Sequence, residues 1–540
     1  MRINIKNKSK LWKKYLKTKD RSVLEEYKQI SNRVRLQTRK SVQEEQLSIA
    51  KECKVNPKKF WNYVKSKSNS QDEIGDLVLK EENKEDKIIS NNQDKANILC
   101  EYFSSVFNKD ASRDDLFDTD KCINRMDGLN ITAEDIIKRL SDLNDFKSPG
   151  PDNLHPRVLK EVREVIALPL KIMFETSLET GTLPMDWRSG NITPIFKKGI
   201  KTKIENYRPI SLTCVICKVL ESIIREKLVK HFKDNDILSD RQYGFIKGRS
   251  TVTQLLKIMD KWTDYLENGG QIDVIYTDLE KAFDKVPHKP LINKLKGYLI
   301  DNNIIKWIES FLTNRIQRVR LEDSFSEWVK VLSGIPQGTI LGPLLFLIYI
   351  NDLMDVCYEG ADLFVYADDA KLFNHIKNVN DVRILQTDLN RMISWINDWS
   401  LKLNISKCRV VSYGRKLNIV NHNYFIGNEQ IERVEYITDL GVTFDPQLKF
   451  NLHIKEKVNK AYSRLGIIRR NFKYMSMQVF CLLYKAMVRS HLEYANSVWN
   501  PHCKEDIETL EKVQMRATKL VESIKHLNYE ERLKNWIYLR

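Results

Sequence analysis

The chain has 540 residues, several times the roughly 100–200 residues of one typical domain, so two or three domains with large cores are expected. Its 89 Lys and Arg outnumber 72 Asp and Glu, a formal charge of +17 that favours polyanionic partners such as nucleic acid. The longest apolar run, residues 344–350, is far shorter than the roughly 20 residues of a membrane-spanning helix, and the N-terminus lacks the apolar stretch of a secretory signal.

Residues 1–67 form a basic segment, with 20 Lys and Arg against 6 Asp and Glu. Leu11, Trp12, Tyr15 and Leu16 follow helical spacing, which predicts amphipathic helices with one basic face. Aromatic rings among so many cations suit a nucleic-acid groove, although a solvated helical face would show the same spacing. We predict a basic helical arm that binds nucleic acid.

Residues 68–177 are predicted to contain a linker and a helical N-terminal extension. The stretch 68–94 is rich in Ser, Asn, Asp, Glu and Lys, and a second polar interval covers residues 108–120. Between and after these intervals the apolar residues repeat with helical period, for example over residues 131–143.

The later chain alternates between element types. Short β-like runs alternate with helices past Thr193, which predicts an α/β or α+β domain, and the apolar spacing is helical again after Asp445. Nine scattered cysteines suit a reducing compartment, so the nucleus or the cytoplasm is expected. Cys214 and Cys217 form a lone CxxC pair, for which two core residues on a helix are the simpler interpretation than a zinc site.

Three carboxylates follow or interrupt β-rich runs. Asp278 comes directly after the run 271–276, and Asp368 with Asp369 lies between two apolar runs, as at the tip of a hairpin. An isolated pair of aspartates on a turn is usually solvated. In an apolar frame, however, paired carboxylates repel each other and lose water, so a cation is expected to bind them. Mg²⁺ accepts one or two carboxylates together with substrate phosphates, and two such ions suit nucleotide polymerisation.

The residues around these carboxylates resemble the motifs of reverse transcriptases. Residues 366–369, YADD, resemble the YxDD signature, and residues 277–286, TDLEKAFDKV, resemble the family's first carboxylate motif. Three further blocks match in the same order, at residues 206–212, 334–343 and 403–407. The match spans about residues 186–445 and looks most like the polymerases of jockey-type, non-LTR retrotransposons.

The resemblance implies an α+β right-hand polymerase. Fingers and palm would occupy residues 178–446, with the palm beginning near residue 271, and mostly helical regions would flank them. The C-terminal region 447–540 would be a thumb-like part that looks truncated at its end. The implied activity is RNA-directed DNA polymerisation by two-metal phosphoryl transfer. Its partners would be an RNA template, a DNA primer, their hybrid and deoxynucleoside triphosphates, with two Mg²⁺ ions, or Mn²⁺ in their place.

The same resemblance assigns catalytic roles to four side chains. Asp278 and Asp368 would hold both metals, with Asp369 beside them as a weaker ligand. Lys407 would protonate the leaving pyrophosphate, a general-acid task open to an amine. Asp284 belongs to the KAFD part of the family's first carboxylate motif, and no metal is assigned to it.

Five further residues would surround the incoming nucleotide. Arg208 would grip the triphosphate, and Lys197 and Lys198 would add positive charge there. Gln337 would approach the nucleotide or the nucleic-acid strand, and Phe283 would block a ribose 2′-hydroxyl. The structural alternatives are a surface salt bridge for Arg208, a turn for Gln337 and core packing for Phe283.

Three other functions fit parts of the same pattern. An RNA-dependent RNA polymerase shares the palm, but it needs a group that accepts the 2′-hydroxyl where this chain has Phe283. A group II intron maturase carries the same blocks and would act in splicing. A nucleic-acid-binding remnant would lack catalysis. The chain opens in what looks like a basic connecting region, so we expect no endonuclease within it, and the oligomeric state is left open.

Overall fold

The computed structural model describes most of the chain: residues 2–67, 74–79, 87–108, 117, 122, 124–357, 360–414, 420, 422–473 and 475–537. Its contacts divide the chain into two compact units, Met1–Asp72 with Ile437–Arg540, and Glu73–Tyr436. In the first unit, N-terminal helices pack against C-terminal helices. None of the helices described is both long and apolar enough to span a membrane.

Helices open the chain, as the spacing predicted: α1 (Arg2–Thr18), α2 (Arg21–Glu52) and α3 (Pro57–Ser66). Between the first two, the Asp20 carboxylate accepts the backbone N–H of Ser22 and caps α2. The Trp12 ring lies 4.8 Å from that of Tyr27, so α1 and α2 form a helical hairpin closed by aromatic contact.

The second unit contains twelve α-helices among its described residues, which are α4 (Asn92–Ser105), α5 (Ala133–Ser141), α6 (Pro156–Glu161), α7 (Arg163–Thr180), α8 (Met185–Arg188), α9 (Val215–Asp234), α10 (Thr251–Glu267), α11 (Ala282–Lys285), α12 (His288–Gly297), α13 (Asn302–Leu312), α14 (Gly342–Ile350) and α15 (Val379–Asp398). Cys214 and Cys217 lie buried where α9 begins, packed in the main core.

The strands described in this unit are β1 (Leu77–Leu79), β2 (Lys87–Ile89), β3 (Ser189–Phe196), β4 (Tyr207–Thr213), β5 (Gln271–Asp278), β6 (Ile316–Leu321), β7 (Ser324–Phe325), β8 (Val329–Lys330), β9 (Asp362–Tyr366), β10 (Asp369–Ile376), β11 (Arg409–Tyr413), β12 (Phe425–Ile426), β13 (Glu429–Gln430) and β14 (Glu432–Arg433). This mixture of helices and sheets confirms the α+β prediction.

Two five-stranded sheets organise the unit. The palm sheet has the order β14-β11-β5-β10-β9, and the fingers sheet has the order β4-β3-β6-β7 with β8 also paired to β6. In the palm sheet β5 and β10 are antiparallel neighbours along their full lengths. Ile275, Leu372 and Val410 are each at most 1% exposed and pack into the main core, which holds these strands in place.

The fingers sheet is covered on one face by part of the predicted linker. Residues 77–79 and 87–89 pair as β1 and β2, and α4 begins at Asn92, so the structure differs from the predicted linker there. Leu77 is fully buried in a core cluster with residues of α4, β3, β4 and β6. Burial of these few apolar residues outweighs the polar composition around them. The rest of the predicted linker, residues 68–73 and 80–86, and most of the polar interval 108–120 lie outside the described residues.

After residue 436 the chain returns to the first unit, with β15 (Ile437–Asp439), β16 (Val442–Phe444), α16 (Asn451–Asn471), α17 (Met477–Tyr484), α18 (Ser490–Glu493), α19 (Asn496–Trp499), α20 (Lys504–Thr518) and α21 (Tyr529–Ile537). The Phe60 ring of α3 stacks on Phe472 with centroids 5.7 Å apart, and Tyr63 also contacts Phe472. The arm helices therefore share a core with the C-terminal helices.

Lys294 of α12 is a buried cation that links three parts of the palm core. Its side chain is fully buried, and its ammonium donates to the Asp352 carboxylate and to the Tyr349 carbonyl. It also lies 3.5 Å from the centroid of the Trp399 ring. Ion pairing, a backbone acceptor and an aromatic face together replace the water that this ammonium lost.

We predict that Asp352→Ala destabilises the fold by about 3–5 kcal/mol, because it leaves a buried ammonium without its carboxylate. Lys294→Met keeps much of the side-chain volume and removes the charge, so its cost should be smaller. Chemical denaturation of both variants measures the two free energies of unfolding. A larger loss for Lys294→Met than for Asp352→Ala would contradict this account.

Candidate active site

The three predicted carboxylates meet at one end of the palm sheet. Asp278 is the last residue of β5, and its register partner on β10 is Asp369. Asp368 lies in the two-residue turn between β9 and β10, after Ala367 with its left-handed φ of +57°. The predicted strand end and hairpin tip are both confirmed, and the antiparallel register brings them together.

The pKa of Asp368 depends on burial, on the neighbouring carboxylate and on cations of the fingers sheet. Burial raises the pKa of Asp368 above its ordinary value, and the neighbouring Asp278 carboxylate raises it further. Arg208 and Lys197 oppose this by favouring the charged carboxylate. Arg208 lies on β4 and Lys197 directly follows β3, so the fingers hairpin brings positive charge to the palm carboxylates.

The pKa of Lys197 is shifted by the same group of charges. Burial lowers the pKa of this lysine, and the positive charges of Arg208 and Lys407 lower it further, whereas Asp278 raises it. Lys198 is exposed beside it and also lowers the pKa of Lys197. Both lysines are exposed, and Lys197 is the one whose charge interacts with the carboxylates.

Lys407 is held directly against the first carboxylate. Its Nζ donates to Asp278 Oδ2 at 2.7 Å. The short 3₁₀ turn Ile405–Lys407 is tied to the same strand end, because the Asn404 N–H donates to the Asp278 carbonyl at 2.8 Å. This contact places Lys407 at the carboxylate cluster, while its role as a proton donor stays a prediction.

Gln337 occupies a loop wedged between the fingers sheet and the start of α11. Its Nε2 donates to Asp284 Oδ1 at 3.1 Å, and its carbonyl accepts from the Ser211 N–H of β4 at 2.7 Å. A Cβ on the next residue, Gly338, would lie 2.6 Å from the Ser211 carbonyl oxygen, and its φ is +114°, so only glycine fits there.

Asp284 is the acid that could be mistaken for a metal ligand. Burial raises its pKa to about 6, and the hydrogen bond from Gln337 opposes that rise. One of its carboxylate oxygens accepts the hydrogen bond from Gln337. That Asp284 holds no metal stays a prediction.

Phe283 lies at the start of α11 between two other aromatic rings. It stacks on Phe346 with centroids 4.3 Å apart and an interplanar angle of 20°, and it meets Phe245 edge to face at 6.3 Å. Phe283 is only partly buried, so one part of its ring remains accessible. The packing holds the ring in one orientation, which is what either a core residue or a steric gate requires.

The sequence reasoning missed the segment 241–245, which buttresses the carboxylate turn. The Tyr243 N–H donates to the Val365 carbonyl at 2.9 Å, and Gln242 Oε1 accepts from the Ala367 N–H at 3.0 Å. A Cβ on Gly244 would lie 2.4 Å from the Ala367 nitrogen, so the two backbones touch. The sequence feature that could have indicated this segment is the glycine between Tyr243 and Phe245, just before the basic stretch 247–249.

The oxygen donors of the cluster suit the predicted cation. Among the described residues, no three His, Cys, Asp or Glu side chains are arranged to hold a metal by themselves. Asp278 and Asp368 interact, and Asp369 is exposed beside them, so the protein offers two or three hard oxygen donors. Such a set fits Mg²⁺, which takes one or two carboxylates and fills its other positions with phosphate oxygens and water.

Comparison with known proteins places this geometry in a family. The model of the family "Reverse transcriptase (RNA-dependent DNA polymerase)" matches residues 195–477, more than half of the chain. A probable RNA-directed DNA polymerase from transposon BS of Drosophila melanogaster is 28% identical over 403 residues, covering 72% of this chain and 44% of that protein. The polymerase from mobile element jockey of the same species is 24% identical over 402 residues, with the same coverages.

The chain spans less than half the length of these two curated relatives. Among solved structures, an apo telomerase from Candida tropicalis is similar over 52% of this chain and 59% of that chain, at 13% identity and a TM-score of 0.36. The family match covers Arg208 with its strand β4, both carboxylate motifs, Gln337 and Lys407. The chain therefore belongs to the reverse transcriptase family, as a jockey-like member of its non-LTR retrotransposon group.

Proposed function

We propose that this chain is an RNA-directed DNA polymerase that adds deoxynucleotides to the 3′ end of a DNA primer on an RNA template. The strongest support for this proposal is that negatively charged and positively charged side chains meet at one site. Asp278, Asp368 and Asp369 supply oxygen donors at the palm edge, and Arg208 and Lys197 supply cations from the fingers hairpin. A nucleoside triphosphate with its cation needs both on opposite sides of one small volume.

The residues of the cluster divide the work of phosphoryl transfer. Asp278 and Asp368 would hold two Mg²⁺ ions, or Mn²⁺ in their place, with Asp369 beside them. When bound, such ions activate the attacking hydroxyl and stabilise the leaving oxygen. The forked guanidinium of Arg208 suits the triphosphate oxygens, and Lys197 adds charge there. Lys407, already at hydrogen-bond distance from Asp278, would donate a proton to the leaving pyrophosphate.

Two other residues would shape the nucleotide pocket. Gln337 is fixed by its bonds to Asp284 and to β4, the strand of Arg208, so it would border the nucleotide. Phe283, held between Phe346 and Phe245, would exclude a 2′-hydroxyl. The nucleus or the cytoplasm is the proposed location, because nine scattered cysteines suit a reducing compartment.

The N-terminal arm would add a phosphate-binding surface. Lys13, Lys14, Lys17 and Lys19 are exposed on or just after α1. Aromatic contacts within the hairpin keep these cations on a formed helix rather than on a flexible tail. The RNA template or its hybrid with the primer would be held there through phosphates, with little reading of sequence.

Changing Asp368→Asn should abolish primer extension while leaving template binding intact, because the substitution keeps the shape and removes the charge that holds the ions. The loss should exceed about a thousandfold, equivalent to several kcal/mol of transition-state stabilisation. Primer extension and filter binding on one primed RNA template measure the two effects. Asp264→Asn, at an exposed position on α10, is the matched control. Extension within about tenfold of the parent would show that Asp368 is not a ligand.

Phe283→Ala should admit ribonucleotides while sparing much of the deoxynucleotide activity. A clash with the ring, together with a buried hydroxyl that lacks a partner, should give the parent at least about tenfold to a hundredfold discrimination. The measurement is kcat/KM for a deoxynucleotide and its ribonucleotide counterpart in both proteins. An unchanged ratio would reduce Phe283 to core packing. A parent that prefers ribonucleotides would instead indicate an RNA polymerase.

Neutralising two arm lysines, Lys13→Gln with Lys14→Gln, should weaken nucleic-acid binding and flatten its salt dependence. Each lost phosphate contact lowers the slope of log affinity against log salt by roughly 0.7–0.9. Deleting the arm would be a poorer test, because it would expose Phe472 in the core that α3 covers. Lys504→Gln with Lys519→Gln, exposed lysines at the two ends of α20, is the matched control. Equal slopes in the two double variants would mean that the arm is only a solvated helix.

A further inference from the structure

The helix α7 is apolar on two opposite sides, although among the described residues only its inner side is covered. That inner side buries Leu170 and Phe174 against α5 and α13. Val165, Leu168 and Ile172 lie on the outer side and are 78%, 61% and 59% exposed. A helix that is apolar all round is typical of a buried element, so the outer side indicates a surface that another molecule covers.

Neighbouring exposed side chains extend this surface into one stripe. Residues three or four positions apart lie on one side of a helix, and the exposed apolar residues of α6 and α7 follow that spacing. The stripe, which we name the outer stripe, comprises Val158, Val162, Val165, Leu168, Pro169, Ile172 and Met173. Its exposed parts amount to roughly 500–600 Å², the upper end of what a monomer usually leaves uncovered.

Charged residues border the outer stripe in an order that suits an antiparallel copy of the same helix. Arg157 and Glu161 lie one turn apart near its start, and Lys171 and Glu175 lie one turn apart near its end. At about 100° per residue, all four lie along the same edge of the stripe. Each pair runs from positive to negative along the chain. Two copies that run in opposite directions therefore place opposite charges together, whereas parallel copies would place each residue against its own like charge.

Two of these four charges lack an ion partner in the described part of the chain. Neither Arg157 nor Glu161 forms an ion pair there. Lys171 and Glu175 pair with each other at the surface, with Nζ and Oε1 3.0 Å apart. Such an exposed pair is weak and can be shared with a partner at little cost. A second copy would supply Glu175 to Arg157 and Lys171 to Glu161.

We propose that two copies of this chain associate through the outer stripe, with the two α7 helices antiparallel about a two-fold axis close to Ile166. Val162 of one copy would pack against Ile172 of the other, and Val165 would pack near the axis against Pro169. The same residues contribute from both copies, as a two-fold interface requires. Two stripes with their charged edges would bury about 1,100–1,300 Å², the lower end of specific interfaces. An unrelated apolar partner or a lipid surface would not require charges in this order.

Sedimentation equilibrium of the full chain tests the association, between about 0.1 and 50 µM, where an interface of this size dissociates. The parent should rise from its monomer mass of 63.6 kDa towards twice that mass. Val165→Glu buries two carboxylates together near the axis, so it should raise the dissociation constant at least about a hundredfold. Val379→Glu, at an exposed valine where α15 begins, is the matched control and should leave the constant unchanged.

Exchanging charges along the edge tests the antiparallel pairing of two copies. Glu161→Lys alone and Lys171→Glu alone should each weaken the dimer roughly tenfold, because each turns two attractive contacts into repulsive ones. The double variant should recover the dissociation constant of the parent. Recovery would also show that neither single change unfolds the chain.

A parent that stays at the monomer mass throughout this range overturns the proposal. A dimer that Val165→Glu leaves intact, or whose association the double variant fails to restore, overturns it as well. A monomer that binds phosphatidylcholine vesicles, and loses that binding in Val165→Glu, would assign the outer stripe to a lipid surface instead. None of these measurements requires polymerase activity, so their outcome is independent of the proposed function.

Discussion

Repulsion between carboxylates at the edge of the palm sheet is the constraint on which the rest of the site depends. Asp278 and Asp369 are register partners, and Asp368 lies in the adjoining turn, so negative charges are forced together by backbone pairing. Nearby cations offset this repulsion. Lys407 is hydrogen-bonded to Asp278. Arg208 and Lys197 favour the charged form of Asp368. Burial is the largest cause of the raised pKa of Asp368, and the charge of Asp278 adds to it. A bound cation would complete the neutralisation.

Such a cluster needs a rigid frame, and the frame is built from buried polar contacts as well as from the apolar core. Glu221 of α9 is fully buried, and its Oε2 accepts the N–H groups of Ile340 and Leu341 where α14 begins. Burial raises the pKa of Glu221, and these two hydrogen bonds oppose the rise. These bonds hold the loop that follows Gln337, so a buried carboxylate on α9 helps to position that residue.

The two sheets contribute differently to the site. The palm sheet holds its acids on paired strands whose residues are almost wholly buried, whereas the fingers sheet presents exposed cations on a face left uncovered by α4. The two sheets therefore carry opposite charges.

Much of this could be predicted from local sequence. The β-rich runs around Asp278 and the YADD turn, the arm helices and the α+β composition all depend on residues close together in the chain, whose periodicity and turn chemistry are local properties. The family motifs supplied residue roles that no spacing argument could give. Of those assignments, the structure brings Lys197, Arg208 and Lys407 to the carboxylates.

Tertiary structure alone decided the long-range pairings. The strand formed by residues 77–79 comes from a stretch that is polar on average, because contact with distant β6 and α4 buries Leu77. The packing of Phe60 on Phe472 joins the two ends of the chain, and the bonds of segment 241–245 to the carboxylate turn join residues more than a hundred positions apart. Such contacts depend on which surfaces pack together after the helices and strands have formed. Local patterns in a single sequence do not specify that packing.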